Sequence, residues 1–413
     1  MENQDLLITT CQLSQQFSVC LWDYNNKNVI GLYKNGGAIP PRTLSVLEDY
    51  IIAAELNKPV LHAWPLNSQE TDKNIRLILP GSVNCLSVCP RQTYLAVAID
   101  AKLYIWQICS GKLLSVQQRH YQPITSIKYS SDSLYVAVGG KDGILVVYFL
   151  ADLVVLHHSL LSQRTVGQVE PVYMKHDHSG SIVDLHIGSF GKNSRIATCS
   201  TDNTTKIYTL STGDLLITIV FDETITTLLF DLSYWKLFVG TGTGLVKQLD
   251  LRKYQRTLNY HVEEETCNHF KGHTGKIVQI ALNFSGSILA SGADDMFVYT
   301  WDVLSRQILH KFDHKAPLTN IYFVPNFSHF TDQNLKPNLK LGFLERSIVS
   351  ELNDFLVSLL QKDNIDILDD DTCSEKDTSN LKQENERLRI ANAQLYKTAL
   401  EISKKYGVLS EVK

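Results

Sequence analysis

Gly240-Thr-Gly-Thr-Gly244 has the glycine density of a loop that wraps backbone amides around a phosphate. That chemistry needs a Lys-Ser/Thr pair opening a helix behind the loop. Here Val246-Lys247-Gln248 follows instead, so the reading is a turn. His157-His158 and His176 with His178 are of metal-ligand type, but no third and fourth ligand stands at a recognisable spacing. Cys85 and Cys89 lie four apart in an apolar run without a second pair, which reads as two core thiols. No Gly-x-Ser-x-Gly, His-Glu-x-x-His or kinase-type set occurs. The residues point to a non-enzyme without cofactor or metal.

A different kind of pattern runs through the chain. An aromatic residue ends a short apolar run at Trp22, Trp64, Trp106, Tyr148, Tyr208 and Trp301. The intervals are 42, 42, 42, 60 and 93 residues. The last one holds a further unit ending near Gln248, which makes seven units of about 42 residues, the period of a β-propeller blade. Four residues after the aromatic stand Asn26, Ser110, Thr212 and Ser305, followed by apolar pairs such as Leu113-Leu114 and Ile308-Leu309. Small polar residues leading into apolar pairs read as hairpin turns between strands. Six residues before the aromatic stand Asp100, Asp142, Asp202 and Asp295, where a carboxylate can accept hydrogen bonds from turn amides.

These units resemble WD-repeat propellers, in which His, Ser/Thr, Asp and Trp form a buried network stapling three strands of a blade. His273, Ser291, Asp295 and Trp301 match that set in full. His178, Thr198, Asp202 and Tyr208 match with Tyr replacing Trp, whereas His120 and Asp142 match around a Val138 that breaks the network. Asp100 joins these structural positions on its spacing alone. Gln16, Lys58 and Gly242 replace the Asp in the first, second and sixth units, so packing is expected to outweigh polar stapling there.

The expected fold is all-β: a seven-bladed propeller over residues 1–325, followed by C-terminal helices with a short coiled coil. The first unit begins partway through a blade, and Pro317–Val324 has strand character, so it is expected to close the ring beside the N-terminal strands. Insertions are expected within 151–177 and 251–268. The second carries Arg252, Lys253 and Arg256 beside Tyr254, a pattern that suits a loop touching RNA phosphate or a partner as well as a solvated loop.

Residues 326–362 read as a connector whose segment 344–361 spaces Ile348, Leu352, Phe355 and Leu359 as an amphipathic helix. Residues 363–377 hold seven acids and one lysine, the composition of an acidic linker. Within it, Ser374-Glu375-Lys376-Asp377 has the form of an acid-directed phosphoacceptor. Over 378–406, Leu381, Leu388, Leu395 and Ile402 recur every seven residues. Placing them at heptad position d puts Asn385 and Asn392 at position a, where paired amides favour an in-register dimer, with a second copy or with another chain; a single helix docking through its Leu stripe is the other reading.

Composition narrows the partners. Lys plus Arg total 39 and Asp plus Glu 43 among 413 residues, a net charge of −4, which argues against a chain-wide nucleic-acid or membrane surface. Hydrophobic residues make up 44%, enough for a large core. The acidic N-terminus lacks the cationic segment of a signal peptide, and apolar runs fall well short of a membrane span. The eight cysteines are scattered, which suits a reducing compartment.

Segments outside the repeat pattern are similar to the WD repeat-containing protein 18 family. They include Tyr33-Lys-Asn-Gly-Gly37 with Pro40-Pro41-Arg42, Tyr50-Ile-Ile-Ala-Ala-Glu-Leu56, Arg119-His120-Tyr121-Gln122, Ile182-Val-Asp-Leu-His186 and Leu388-Arg389-Ile390-Ala391-Asn392. The resemblance spans most of 15–325 and the last helix. It implies a scaffold subunit of the Rix-type complex, held with a large helical-repeat protein and a third, smaller subunit. That complex acts on nucleolar and nucleoplasmic precursors of the large ribosomal subunit, supports internal spacer rRNA processing and recruits a remodelling ATPase. RNA contact would be mostly indirect. A chromatin or transcription cofactor in the same complex is an alternative. A cullin-type ubiquitin ligase receptor is a weaker one, because Trp301-Asp302 and Trp22-Asp23 lack the basic residue that follows in such receptors.

Overall fold

The computed structural model describes residues 5–12, 17–72, 75–155, 169–252, 258–262, 267–330, 337 and 339–347. The expected helix beyond residue 347, the acidic linker and the heptad segment lie outside the described residues. Seven sheets, antiparallel except for one added parallel strand, form a β-propeller. The strand next to the axis and its two successors supply most of each blade, and an outer strand completes it.

Blade one is assembled from both ends of the ring. Leu318–Val324 pairs antiparallel with Leu6–Cys11, which continues to Val19–Asp23 and Asn28–Tyr33. Its register sets Leu6 opposite Val324 and Thr10 opposite Asn320. This pairing leaves no open seam at the first blade. Blades two to seven begin at Leu44–Val46, Cys85–Val88, Ile124–Tyr129, Ile182–Ile187, Ile225–Phe230 and Ile277–Leu282.

Each recurring aromatic lies in the third strand of its blade, counted from the axis. In blades one, three, five and seven a register shift falls immediately before Trp22, Trp106, Tyr208 or Trp301. Such an irregularity twists the strand locally and re-aims the next side chain. The ring then lies between sheets. Trp64 and Trp106 are fully buried, and Trp301 is 1% exposed.

Seven apolar clusters fill the seven gaps between neighbouring blades. Because neighbouring blades cover both faces, inner strands such as Tyr94–Ile99 are buried almost throughout instead of alternating. Close approach sets the small residues. A Cβ on Gly139 would stand 2.8 Å from Ile182 of the next blade, and one on Gly240 would stand 2.9 Å from Ile277. Gly292 meets Ile321 in the same way. Cys85 and Cys89 are buried in the cluster between blades three and four.

Both insertions fall between the third and fourth strands of their blades. In blade four the short helix Leu150–Val155 follows Leu145–Phe149, and the outer strand is Tyr173–Lys175. In blade six, Asn259–His261 turns back and pairs parallel with Leu215–Val220, giving blade five a fifth strand.

The stretch after the ring departs from the sequence expectation. Phe327 and Phe330 pack on the gap between blades one and two, and Leu339, Leu341 and Leu344 pack on the gap between two and three. The main-chain N–H of Glu345 donates to the carbonyl of Gly111, and its own carbonyl accepts from Trp106 Nε1 at 2.8 Å. Residues 344–347 are therefore a non-helical strap. The expected helix cannot begin at 344, because these backbone groups are bonded to blade three.

Candidate functional site

Blade seven holds the most complete polar constellation. His273 Nδ1 lies 2.9 Å from Asp295 Oδ2, and its Nε2 lies 2.8 Å from Ser291 Oγ. Trp301 Nε1 donates to the same Oγ at 2.8 Å. The amides of Thr274 and Phe297 donate to the two Asp295 oxygens. Burial lowers the His273 pKa against the opposing pull of Asp295, so the ring is neutral near pH 7. A neutral ring donates from Nδ1 to the carboxylate and accepts from the serine at Nε2. Ser, His and Asp also form hydrolytic triads, but Ser291 is fully buried and its oxygen already accepts from the indole. This network staples strands; it cannot meet a substrate.

Blade five repeats the arrangement with one change. His178 Nε2 lies 2.8 Å from Thr198 Oγ1, and Nδ1 lies 3.1 Å from Asp202 Oδ2. Burial works against ionisation of Asp202, but hydrogen bonds from Thr204 and the His178 contact outweigh it and hold the carboxyl at about 2. Tyr208 does not replace the indole in this network. Its hydroxyl faces Asp177, and burial with that carboxylate pushes its pKa up. A phenol carries its donor at the ring tip, beyond the reach of an indole N–H.

In blade four, His120 Nδ1 lies 3.1 Å from Asp142 Oδ1, and the amide of Tyr121 donates to Oδ2 at 3.0 Å. Val138 offers no hydroxyl, and His120 Nε2 is buried without a partner. Asp100 is a correction. The second and third strands of blade three join through a tight turn, with Ile99 paired to Lys102. Asp100 sits in that turn at φ +50 with its side chain exposed, so it belongs to no histidine network.

The blades without the histidine network carry polar pairs of their own beside their packing. In blade two Glu55 binds His62 at 3.1 Å and Lys58 at 2.7 Å. In blade six Lys247, 4% exposed, binds Glu223 at 3.1 Å. In blade one Trp22 Nε1 donates to Thr9 Oγ1 at 2.8 Å. Gly242–Gly244 forms the turn between Lys236–Thr241 and Leu245–Asp250, with Gly244 at φ +88.

The central channel carries a site that the spacing did not reveal. Arg42, at φ +59 in the loop before blade two, reaches Asp184 of blade five, with Nε 3.1 Å from Oδ1. Its Nη2 donates to the carbonyl of Thr226 in blade six at 3.2 Å. Thr227 Oγ1 donates to Asp184 Oδ2 at 2.8 Å, and Ser126 Oγ lies 3.4 Å from Oδ1. Register shifts in the inner strands, between Ile182 and Asp184 and between Ile225 and Thr227, re-aim these side chains together. Asn320 of the closing strand donates to the carbonyl of Pro40 at 2.8 Å. Arg42 ends the Pro40-Pro41-Arg42 segment, but no local pattern marks its partner 142 residues away.

The loop residues stand apart from the channel. Arg252 pairs with Asp250 at 2.9 Å and lies 4.5 Å from the Trp235 ring centroid, so its charge is engaged locally. Lys253 and Arg256 lie outside the described residues, as do Leu381, Asn385, Leu388, Asn392, Leu395 and Ile402. His157 and His158 do so too, whereas His176 is exposed. Among the described residues no group of three His, Cys, Asp or Glu side chains is placed to hold a metal ion. No described helix is long and apolar enough to cross a membrane.

The family model of the WD domain, G-beta repeat, matches residues 111–148 and 264–302, which include the networks of blades four and seven. The chain is 25% identical to pre-rRNA-processing protein crb3/ipi3 of Schizosaccharomyces pombe, covering 88% of this chain and 87% of the relative. It is 30% identical over 324 residues to WD repeat-containing protein 18 of Danio rerio, covering 78% of this chain and 73% of the relative. It is also 30% identical over 348 residues to WD repeat-containing protein 18 of Mus musculus, covering 84% of this chain and 79% of the relative. With that similarity running through the propeller, the chain belongs to the WD repeat-containing protein 18 family.

Proposed function

We propose that this chain is a non-catalytic scaffold subunit of a nuclear complex that matures the precursor of the large ribosomal subunit. The observation that carries the reading is the match along 88% of this chain to a relative named a pre-rRNA-processing protein. A rigid ring, whose one Ser-His-Asp set is consumed internally, suits a platform role. In this reading the complex processes internal spacer rRNA and receives a remodelling ATPase. The partners are a large helical-repeat protein and a third, smaller subunit. RNA contact is mostly indirect, in keeping with a net charge of −4.

The tail has its own part in the proposal. Residues 326–362 connect, 363–377 space, and 378–406 pair two copies through Leu381, Leu388, Leu395 and Ile402, with Asn385 and Asn392 setting register. Depleting the protein is expected to accumulate spacer-containing precursor RNA; unchanged precursor levels would remove the reading. Replacing Leu388 and Leu395 by Asp is expected to halve the mass in solution while the melting transition persists. A mass that stays the same would exclude the paired tail and leave the ring's role to the RNA test.

A further inference from the structure

Two open clefts meet at one mouth of the channel, where the inner strands end. The first, about 310 Å³, lies between blades one, two and three and is walled by Leu44, Val46, Leu86 and Phe327, with Lys128 reaching in. The second, about 260 Å³, lies among blades four to seven and includes Leu229, Leu232 and His186. Phe284, 55% exposed, lines both. Turn residues Phe190 and Trp235, at 58% and 52% exposed, extend the apolar face outward.

The charges at this mouth are uneven. Arg42 is bound to Asp184 within the channel. His186 is held near 4 by burial, with the charge of Lys128 adding to the effect, so its ring is neutral near pH 7. Lys128 lies 5.9 Å from the centroid of Tyr322, and among the described residues no carboxylate pairs with it. A half-buried cation on an apolar wall is complementary to an anion carried on an apolar stem.

We infer that this mouth docks a partner polypeptide in which an acidic side chain, flanked by bulky apolar residues, pairs with Lys128 while its neighbours fill the clefts beside Phe284. The charge balance selects protein over RNA. A nucleic-acid groove needs several cations along a backbone, and here one lysine stands in an apolar wall, with Asp231 lining the second cleft. An aromatic anchor beside a desolvated charge is also the usual composition of a protein hot spot. The inference rests on the scaffold reading in taking the occupant to be a protein.

The test uses the full-length chain, immobilised, and a displayed library of short random peptides. The enriched peptides are expected to place Asp or Glu beside Leu, Phe or Trp. Made synthetically, an enriched peptide is expected to lose about tenfold in affinity when its acid is changed to the amide, the ratio one desolvated ion pair supplies. With Lys128→Met, that acid-to-amide ratio is expected to fall to about one. Phe284→Asp is expected to weaken acid and amide peptides alike, and Leu232→Asp is the second probe should Phe284→Asp lower the melting temperature. Enrichment without acids, or a ratio unchanged by Lys128→Met, would overturn the inference. Precursor RNA after depletion is read separately, so a failed selection beside an intact RNA phenotype removes the docking site alone.

Discussion

Blades four and seven share a histidine 22 residues before an aspartate and differ at two positions, Val138 for Ser291 and Tyr148 for Trp301. Both histidines bind their carboxylate through Nδ1, and in both blades the amide after the histidine bonds to the same aspartate. Blade seven then continues through Ser291 to the Trp301 indole, whereas blade four stops at Val138 with His120 Nε2 unpaired. The comparison separates two devices that the repeat pattern joins. The His-Asp pair locks a loop to a hairpin turn. The hydroxyl and indole carry the lock across the sheet. A buried donor or acceptor left unpaired costs about 1–3 kcal/mol, so blade four keeps the lock and bears a penalty that blade seven avoids.

The largest expected contrast comes from removing each histidine. His273→Ala removes one donor from the buried Asp295 carboxylate and leaves the Ser291 hydroxyl proton without an acceptor, with an expected loss of about 3 kcal/mol. His120→Ala removes one donor from Asp142 but also removes an unpaired nitrogen, so about 2 kcal/mol is expected. Denaturant melts of both variants check the order, and equal losses would mean that the serine-indole extension adds nothing. A smaller effect of opposite sign is expected from Val138→Thr. A hydroxyl there can donate to His120 Nε2 and stabilise by about 1 kcal/mol, read as a higher denaturation midpoint.

The smallest effect is in the acid limb, and it extends the comparison to blade five. Asp202 sits at about 2 in the folded chain against an ordinary value of 3.8. A carboxyl depressed on folding contributes stability above its unfolded pKa and loses it as pH falls through the folded one. Stability is therefore expected to decline between about pH 4 and pH 2, and Asp202→Asn should flatten that part of the curve. A curve of the same slope in the variant would assign the acid limb to other carboxylates.

Much of the ring was legible because its rules are local. The aromatic interval, the turn residues after it and the glycine-rich run at Gly240–Gly244 all mark third strands or hairpins. The strand at 317–324 was legible for a topological reason, since a first unit that begins partway through a blade needs a donor. The same reasoning failed at Asp100, where spacing copied the Asp position but a two-residue turn exposes the side chain and Ile78, not a histidine, stands 22 residues before it. It also did not reach the pairs of blades two and six. Glu55–His62 and Glu223–Lys247 are new pairs that do not keep the repeat's residue types or offsets.

The sequence by itself determined the number of blades, the third strand of most of them, the polar network of blade seven and the His178, Thr198 and Asp202 part of the one in blade five. Those features arise from short-range spacing, because strand alternation and turn conformation are set within a few residues. Tertiary structure alone decided the rest. Arg42 meets Asp184 across 142 residues, and Trp106 meets the Glu345 carbonyl across 239. Asn259–His261 extends the edge of a different blade. None of these contacts is favourable until the ring has closed and brought the strands to fixed separations, so no local pattern records them.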